Sequence, residues 1–368
     1  MTSTKSTNSA GICRRARPEI LALAGYASAR SLQKPGAQTI FLDANECAFD
    51  PFIGAVGLSR YPEQQPADLV AAFCRWLDVS SRNLTITRGA DEAIDCLMRA
   101  FCTPAVDNVV ICPPTFAMYA QSAMLQGVDA RAAPLDADFG LDLDAIADAV
   151  DDNTKMIFVC SPNNPTGNLM DRTQITELCR RYAGKALVVV DETYVEFSTM
   201  TSLLNDLDHF ENLVVLRTLS KSHAAAGLRC GAAIARSDVT ALLQKVLAPY
   251  PLPQPAIAAA LAILTPANMV KLADRRADIL ARREMYIKRF SALDAVVKVL
   301  PSDANYLLLI VKDAEEFVRR AAANDISLRN QSHQPGLANS VRVSIGSPDD
   351  MDALFAVLEG RADPTPTQ

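Results

Sequence analysis

Histidine is scarce in this chain: three residues in 368, set apart as His209, His223 and His333. That spacing gives no support to a metal centre built on imidazole, and no metal is expected. Paired cysteines are lacking too. The nine cysteines are scattered, odd in number and nowhere at CxxC spacing, which points to reduced thiols that mostly fill a core. No apolar run is long enough for a bilayer. The most apolar one, Ala256 to Leu264, is short and lies between prolines, so it reads as a buried helix. The first residues are rich in Ser, Thr and Arg with no apolar stretch behind them. They read as a frayed terminus rather than an organellar transit peptide, and a secretory signal is not expected. Positive charge is not in excess either: the formal charge of -6 argues against a broad nucleic-acid surface. It leaves room for a local cationic pocket that takes a small phosphate ester. The expectation is a cytoplasmic protein with no nucleic-acid or membrane partner.

What the chain does have is a rhythm. Between about residues 83 and 236, short apolar runs alternate with helical stretches: "NLTIT", "NVVICPP", "KMIFVCSP", "ALVVVDE", "NLVVLRT" and "CGAAIA". Runs this rich in Val and Ile, with little polar alternation, suit strands buried on both faces of a mainly parallel sheet. The fold class expected is α/β, a layered domain with helices on both sides of that sheet. From Pro251 onward a long amphipathic connector leads to "VVKVLP", "NYLLLIV", "SLRN" and "SVRVSIG" with helices between, which suggests a smaller α+β domain. The N-terminal fifty residues are expected to pack onto it. The acidic stretch Asp136 to Asp152 carries apolar residues at helical spacing and reads as a solvated helix face, not a calcium loop.

In sheets of this kind ligands gather beyond the carboxyl ends of the strands. Nearly every run here ends in an unusual polar sequence: "RGADEA", "PPTFAMY", "SPNNPTGN", "DETYVEF", "TLSKS". Lys221, at the mouth of one strand with hydroxyls around it and Arg229 eight residues on, can form a Schiff base with a phosphorylated aldehyde. Thr218, Ser220 and Arg229 would then take the phosphate. The cradle would be completed by Gly89, which permits close backbone approach, and by the amides of Ala90 and Asp91 at a helix start. Asp191 ends an apolar run, where a buried carboxylate would stay charged against a pyridinium nitrogen; the alternative is an N-cap. Asn164 and Tyr194 can hydrogen-bond a phenolic oxygen, although "NNPTG" could be only a turn. Phe116 can stack on a ring or simply pack in the core. A lysine for the aldehyde, an acid for the ring nitrogen, donors for the phenolic oxygen and a phosphate cradle are what a pyridoxal 5'-phosphate site needs, and that is the cofactor expected.

The motifs "SPNNPTG", "VVVDETY", "RTLSKSHAAAGLRCG" and "VRVSIG" resemble those of the class II, fold-type I aminotransferases that depend on pyridoxal phosphate. "LDANE", "SRYPEQQPADL", "TRGADEAID" and "APYPLPQP" are further similar to the histidinol-phosphate aminotransferase family, and the resemblance covers the chain after about residue 18. It implies a large cofactor domain over residues 51–264, with 1–50 and 265–368 forming the small one. It implies that Lys221 forms the internal aldimine and then shuttles the proton, and that Tyr61 reaches the cofactor phosphate of a neighbour, hence a homodimer. Arg342 would take the carboxylate of glutamate or 2-oxoglutarate. Arg329, helped by Tyr26, would take a substrate phosphate, and Asn45 would line the pocket. The implied reaction converts L-histidinol phosphate and 2-oxoglutarate to imidazole-acetol phosphate and L-glutamate. Alternatives on the same scaffold are an aromatic or broad-range aminotransferase and a decarboxylase of a phosphorylated amino acid. Two features depart from the family pattern: His223 stands where an apolar aromatic residue is common, and the stretch after Lys221 is unusually rich in alanine.

Overall fold

The computed structural model describes residues 11–24, 45–47, 49 and 58–361; Tyr26 lies outside them. The apolar runs form a seven-stranded sheet of β1 (Leu84–Thr87), β2 (Asn108–Ile111), β3 (Asp129–Ala132), β4 (Thr154–Cys160), β5 (Leu187–Asp191), β6 (Leu213–Thr218) and β7 (Gly231–Ala235). Its order is β1-β7-β6-β5-β4-β2-β3. Only β7 runs against its neighbours. Every residue of β1, β5, β6 and β7 is buried, because helices cover both faces. Alternate residues divide between the two layers, as the period of a strand requires. Val189, Val214 and Leu216 pack with α3 (Gly89–Phe101) and α7 (Ser237–Val246). Val188, Val190 and Val215 pack with α5 (Leu143–Ala149) and α6 (Arg172–Arg181). Edge strand β3 has the sequence "DARA" and is half-exposed along its length, so no apolar pattern announces it.

Before the sheet lie α1 (Pro18–Ala22) and α2 (Ala67–Leu77), and α4 (Met118–Leu125) follows β2. After α7, the apolar α8 (Gln254–Ile263) buries Ala256, Ile257 and Ala260, and α9 (Pro266–Ser291) carries the chain away. No single helix among the described residues is long and apolar enough to cross a membrane. A four-stranded antiparallel sheet follows, ordered β10-β11-β9-β8. Its members are β8 (Val296–Val299), β9 (Tyr306–Val311), β10 (Arg329–Asn330) and β11 (Ser340–Ser344), with α10 (Ala314–Ala322) and α11 (Pro348–Leu358). Leu307, Leu309, Val341 and Val343 form a separate core with Phe317, Phe355 and with Tyr286 and Phe290 of α9.

The two sheets are tied together where the site forms. Tyr306 of β9 donates its hydroxyl to the Asn163 carbonyl at 2.5 Å, and the Asp303 N–H donates to the Gly167 carbonyl at 2.7 Å. Gly167 has φ +85°, and a Cβ there would stand 2.7 Å from Ser302 Oγ; only glycine allows this approach. The described part of the N-terminal segment does not join the small sheet as expected. Ile12, Cys13 and Ala16 bury against the helix layer of the large sheet, the Arg17 N–H bonds the Ala100 carbonyl at 3.0 Å, and Lys245 holds the carbonyls of Ile20 and Leu21. The apolar partners for these side chains lie on α3 and α7, whereas the small core is closed by its own helices.

Candidate active site

The ends of the parallel strands and the β10–β11 hairpin enclose one cleft of about 430 Å³. At its floor is Asp191, the last residue of central strand β5 and 3% exposed. Its Oδ2 accepts from the Tyr119 hydroxyl at 2.9 Å, and its Oδ1 from the N–H and hydroxyl of Thr193 at 3.0 and 2.5 Å. Burial raises its pKa, against which the Thr193 and Tyr119 hydrogen bonds pull it down. It is no N-cap. Among the described residues it has no ion-pair partner, so a cationic donor in the cleft would favour its charged form.

At one end stands the anion cradle. Residues Ala90 and Asp91 open α3 after Gly89, whose φ of +79° and close approach to Arg229 exclude a side chain: a Cβ would lie 2.8 Å from the guanidinium. The helix N-terminus offers free amides and a positive dipole end. The Thr218 hydroxyl donates to Ser220 Oγ at 2.9 Å, and Arg229 reaches that same oxygen at 3.4 Å. Arg229 also pairs with Asp91 at 3.0 Å, but both side chains are about half exposed (48% and 46%), so the pair contributes little.

Between cradle and floor lie Lys221, Phe116, Asn164 and Tyr194. The Lys221 Nζ sits 5.7 Å from the centre of the Tyr194 ring. Desolvation, then the charge of Arg342, lowers its pKa, which favours the free, nucleophilic amine. Asn164 is 7% exposed and joins two groups: its Oδ1 accepts from Arg342 at 2.5 Å and its Nδ2 donates to the Tyr194 hydroxyl at 3.5 Å. Burial pushes the Tyr194 phenol well up. The far wall comes from the small sheet, where Arg329 and Arg342 are direct partners across β10 and β11. Like charges in that register repel, and no carboxylate among the described residues pairs with either.

This donor set suits a phosphorylated aromatic aldehyde: hydroxyls, helix amides and a guanidinium at one end, an amine midway, and a buried carboxylate for a protonated ring nitrogen. Two expected residues stand apart. Tyr61 does not line the cleft; it is 50% exposed and stacks on Tyr250 at 4.3 Å. Asn45 is exposed at φ +53° and also lies outside the lining. Other residues of the site were missed. Tyr119 had a signal, since it follows Phe116 by three residues and lies 5.6 Å from it, edge to face. Thr193 had one too, because Asp-x-Thr is a local capping pattern. Thr115, Gln331, His333 and Gln334 had none: the Thr115 N–H meets Gln334 Oε1 at 3.1 Å only because the two sheets come together.

The fold and cleft suit an enzyme of pyridoxal phosphate, and comparison with known proteins makes it an aminotransferase. The chain belongs to the family described as aminotransferase class I and II, whose model matches residues 52–358. It is 40% identical to histidinol-phosphate aminotransferase 1 of Haemophilus influenzae strain 86-028NP, over 93% of this chain and 97% of that one. Among solved structures, histidinol-phosphate aminotransferase from Clostridium acetobutylicum superposes with a TM-score of 0.75 at 21% identity, covering 83% of this chain and 91% of its own. L-threonine-O-3-phosphate decarboxylase from Porphyromonas gingivalis superposes with 0.70 at 24%, with the same coverage. Both show the fold.

Removing the Arg342 charge should raise the Lys221 pKa, because that charge is one of the causes that lower it. In Arg342→Gln, capture of pyridoxal phosphate by the apoprotein, followed by absorbance, should need a higher pH than in the parent. An unmoved pH profile would show that the guanidinium does not act on the amine.

Proposed function

We propose that this cleft binds pyridoxal 5'-phosphate and that the enzyme transfers the amino group between L-histidinol phosphate and 2-oxoglutarate. The observation that carries the substrate reading is the Arg329–Arg342 pair, two guanidiniums opposed across a two-strand ladder, lining the cleft and without a carboxylate partner among the described residues. A substrate pair in which one member carries a carboxylate and the other a phosphate supplies the anions that such an arrangement needs. The 40% identity to a curated histidinol-phosphate aminotransferase over nearly all of both chains supports the same reading.

When bound, the cofactor supplies the carbonyl that exchanges the amino group and a ring that accepts electrons from the substrate α-carbon. The chain supplies the rest. The carboxylate of Asp191 would hold a proton on the ring nitrogen. Asn164 and Tyr194 would hydrogen-bond the phenolic oxygen, Phe116 would cover a ring face, and Ala90, Asp91, Thr218, Ser220 and Arg229 would grip the phosphate. The Lys221 amine, made less basic by desolvation and by Arg342, would move the proton between the substrate α-carbon and the cofactor. Arg342 would orient the carboxylate of glutamate or 2-oxoglutarate, and Arg329 the phosphate of the other substrate.

We further read the enzyme as a cytoplasmic homodimer, with residues 51–264 as cofactor domain and the small domain built from 265 onward. All nine cysteines are free, which suits a reducing compartment. Tyr61, which does not line its own cleft, would serve the cradle of a second copy. Mixing Lys221→Ala with Tyr61→Ala chains tests this: a hybrid dimer carries one intact site, so random exchange should restore about a quarter of parental activity. No recovery after subunit exchange would contradict a shared site. For the substrate, Arg329→Ala should raise the KM for histidinol phosphate by about tenfold, the weight of one charged hydrogen bond of about 1.5 kcal/mol. The glutamate half-reaction should be unaffected. An unchanged KM would remove the phosphate role and favour an aromatic or general aminotransferase, and carbon dioxide release without any keto acid would mark a decarboxylase.

A further inference from the structure

The turn that carries Lys221 has little of its own to hold it. From Ser220 to Gly227 it contains three alanines and a glycine, and Ala224, Ala226 and Gly227 are exposed. Its backbone is closed by Ala225 N–H to the Leu219 carbonyl at 3.1 Å and Ala224 N–H to the Lys221 carbonyl at 3.2 Å. Ala224 stands at φ +52°, a conformation that costs a non-glycine residue energy. The one bulky side chain that this turn buries is His223, 2% exposed, beside Ser222 at 6%.

His223 is built into a chain of contacts that ends at the floor of the site. Its Nδ1 lies 2.9 Å from Ser222 Oγ, and its ring meets Trp76 of α2 edge to face at 4.4 Å and 72°. The Arg217 guanidinium sits 5.1 Å from that same indole. Arg217 in turn, 6% exposed on β6, pairs with Glu192 at 3.5 Å and with Glu196. Glu192 directly follows Asp191. One tryptophan thus connects the end of β5, which holds the ring-nitrogen carboxylate, with the turn that holds the amine.

We propose that His223 is a positioning residue for the transamination: its ring, wedged between Ser222 and Trp76, sets where the Lys221 amine stands in the cleft. This rests on the function proposed above. The surroundings do not favour a role in proton transfer. Burial is the largest influence on the imidazole; Arg276 and Arg217 add to it and Glu196 opposes it, leaving a pKa of about 4. The ring is therefore neutral near pH 7. Its Nε2 is buried with no hydrogen-bond partner among the described residues. What remains is shape: a flat ring that fills the space under an alanine-rich turn and packs on an indole.

The test uses the holoenzyme, the variants His223→Ala, His223→Leu and His223→Phe, and the glutamate half-reaction. His223→Ala should lower kcat by between about tenfold and a hundredfold, the range that a small misplacement of a reacting group produces, with KM within about twofold. The pH midpoint of the lysine–cofactor absorbance should move with it, since the amine's surroundings change. His223→Phe, which restores a ring without nitrogens, should bring kcat and midpoint back to within about twofold of the parent. If the alanine variant does not fold, His223→Leu keeps volume without a flat ring and is read in the same way. A variant with a lower melting temperature but parental kcat and midpoint would overturn the proposal. So would a phenylalanine variant as impaired as the alanine one. Failure of the parent to take up the cofactor or to react with glutamate would instead contradict the function itself.

Discussion

A carboxyl group almost wholly out of water is the constraint around which this structure is arranged. Asp191 occupies the end of the central strand, where sheet neighbours bury it on both sides. Desolvating a carboxylate is costly unless hydrogen bonds or an opposite charge compensate. Here Tyr119 and Thr193 supply hydrogen bonds, and among the described residues no side chain supplies the charge. The compensation is incomplete in the protein alone, and a protonated ring nitrogen bound in the cleft would complete it. The surrounding architecture gathers the other groups of the cleft: β6 delivers Lys221 and Thr218, and the turn after β4 brings Asn164 between Tyr194 and Arg342.

Electrostatics divides the cleft into complementary ends. Arg229 and the start of α3 form one cationic end, Arg329 and Arg342 the other, and the single lysine between them is made less basic by its partial burial and by Arg342. That distribution suits two anions bound at once, one on the cofactor and one on the substrate. It also explains how a chain with a formal charge of -6 can hold a strongly cationic pocket: net charge describes the surface as a whole, whereas five strand ends and one hairpin concentrate a few guanidiniums in one place.

Much of this was legible in the residues. The buried strands of the large sheet could be read because Val and Ile runs without polar alternation have few other stable placements, and nearly every one ended in polar residues that line the cleft. Strand β3 escaped because "DARA" lies at a half-exposed edge, where register comes from its neighbour β2 rather than from its own side chains. The placement of residues 11–24 also went astray, since the segment's few apolar residues do not say which of two cores will receive them. In the site, the cofactor-facing residues were named because each sits in a motif with local chemistry. Gln331, His333 and Gln334 were not, because their place depends on how the small sheet meets the large one. His223 drew notice only as an odd residue beside the lysine; its packing on Trp76 joins elements about 150 positions apart in the chain (His223 against Trp76).

The most direct test of the central claim is a single-turnover absorbance scan of the holoenzyme. Histidinol phosphate, glutamate and unphosphorylated histidinol are added separately. Conversion of the cofactor from aldehyde to amine form by histidinol phosphate and by glutamate, with little by histidinol, is the predicted result. Equal conversion by histidinol and histidinol phosphate, or conversion by glutamate alone, would contradict a site that reads the substrate phosphate.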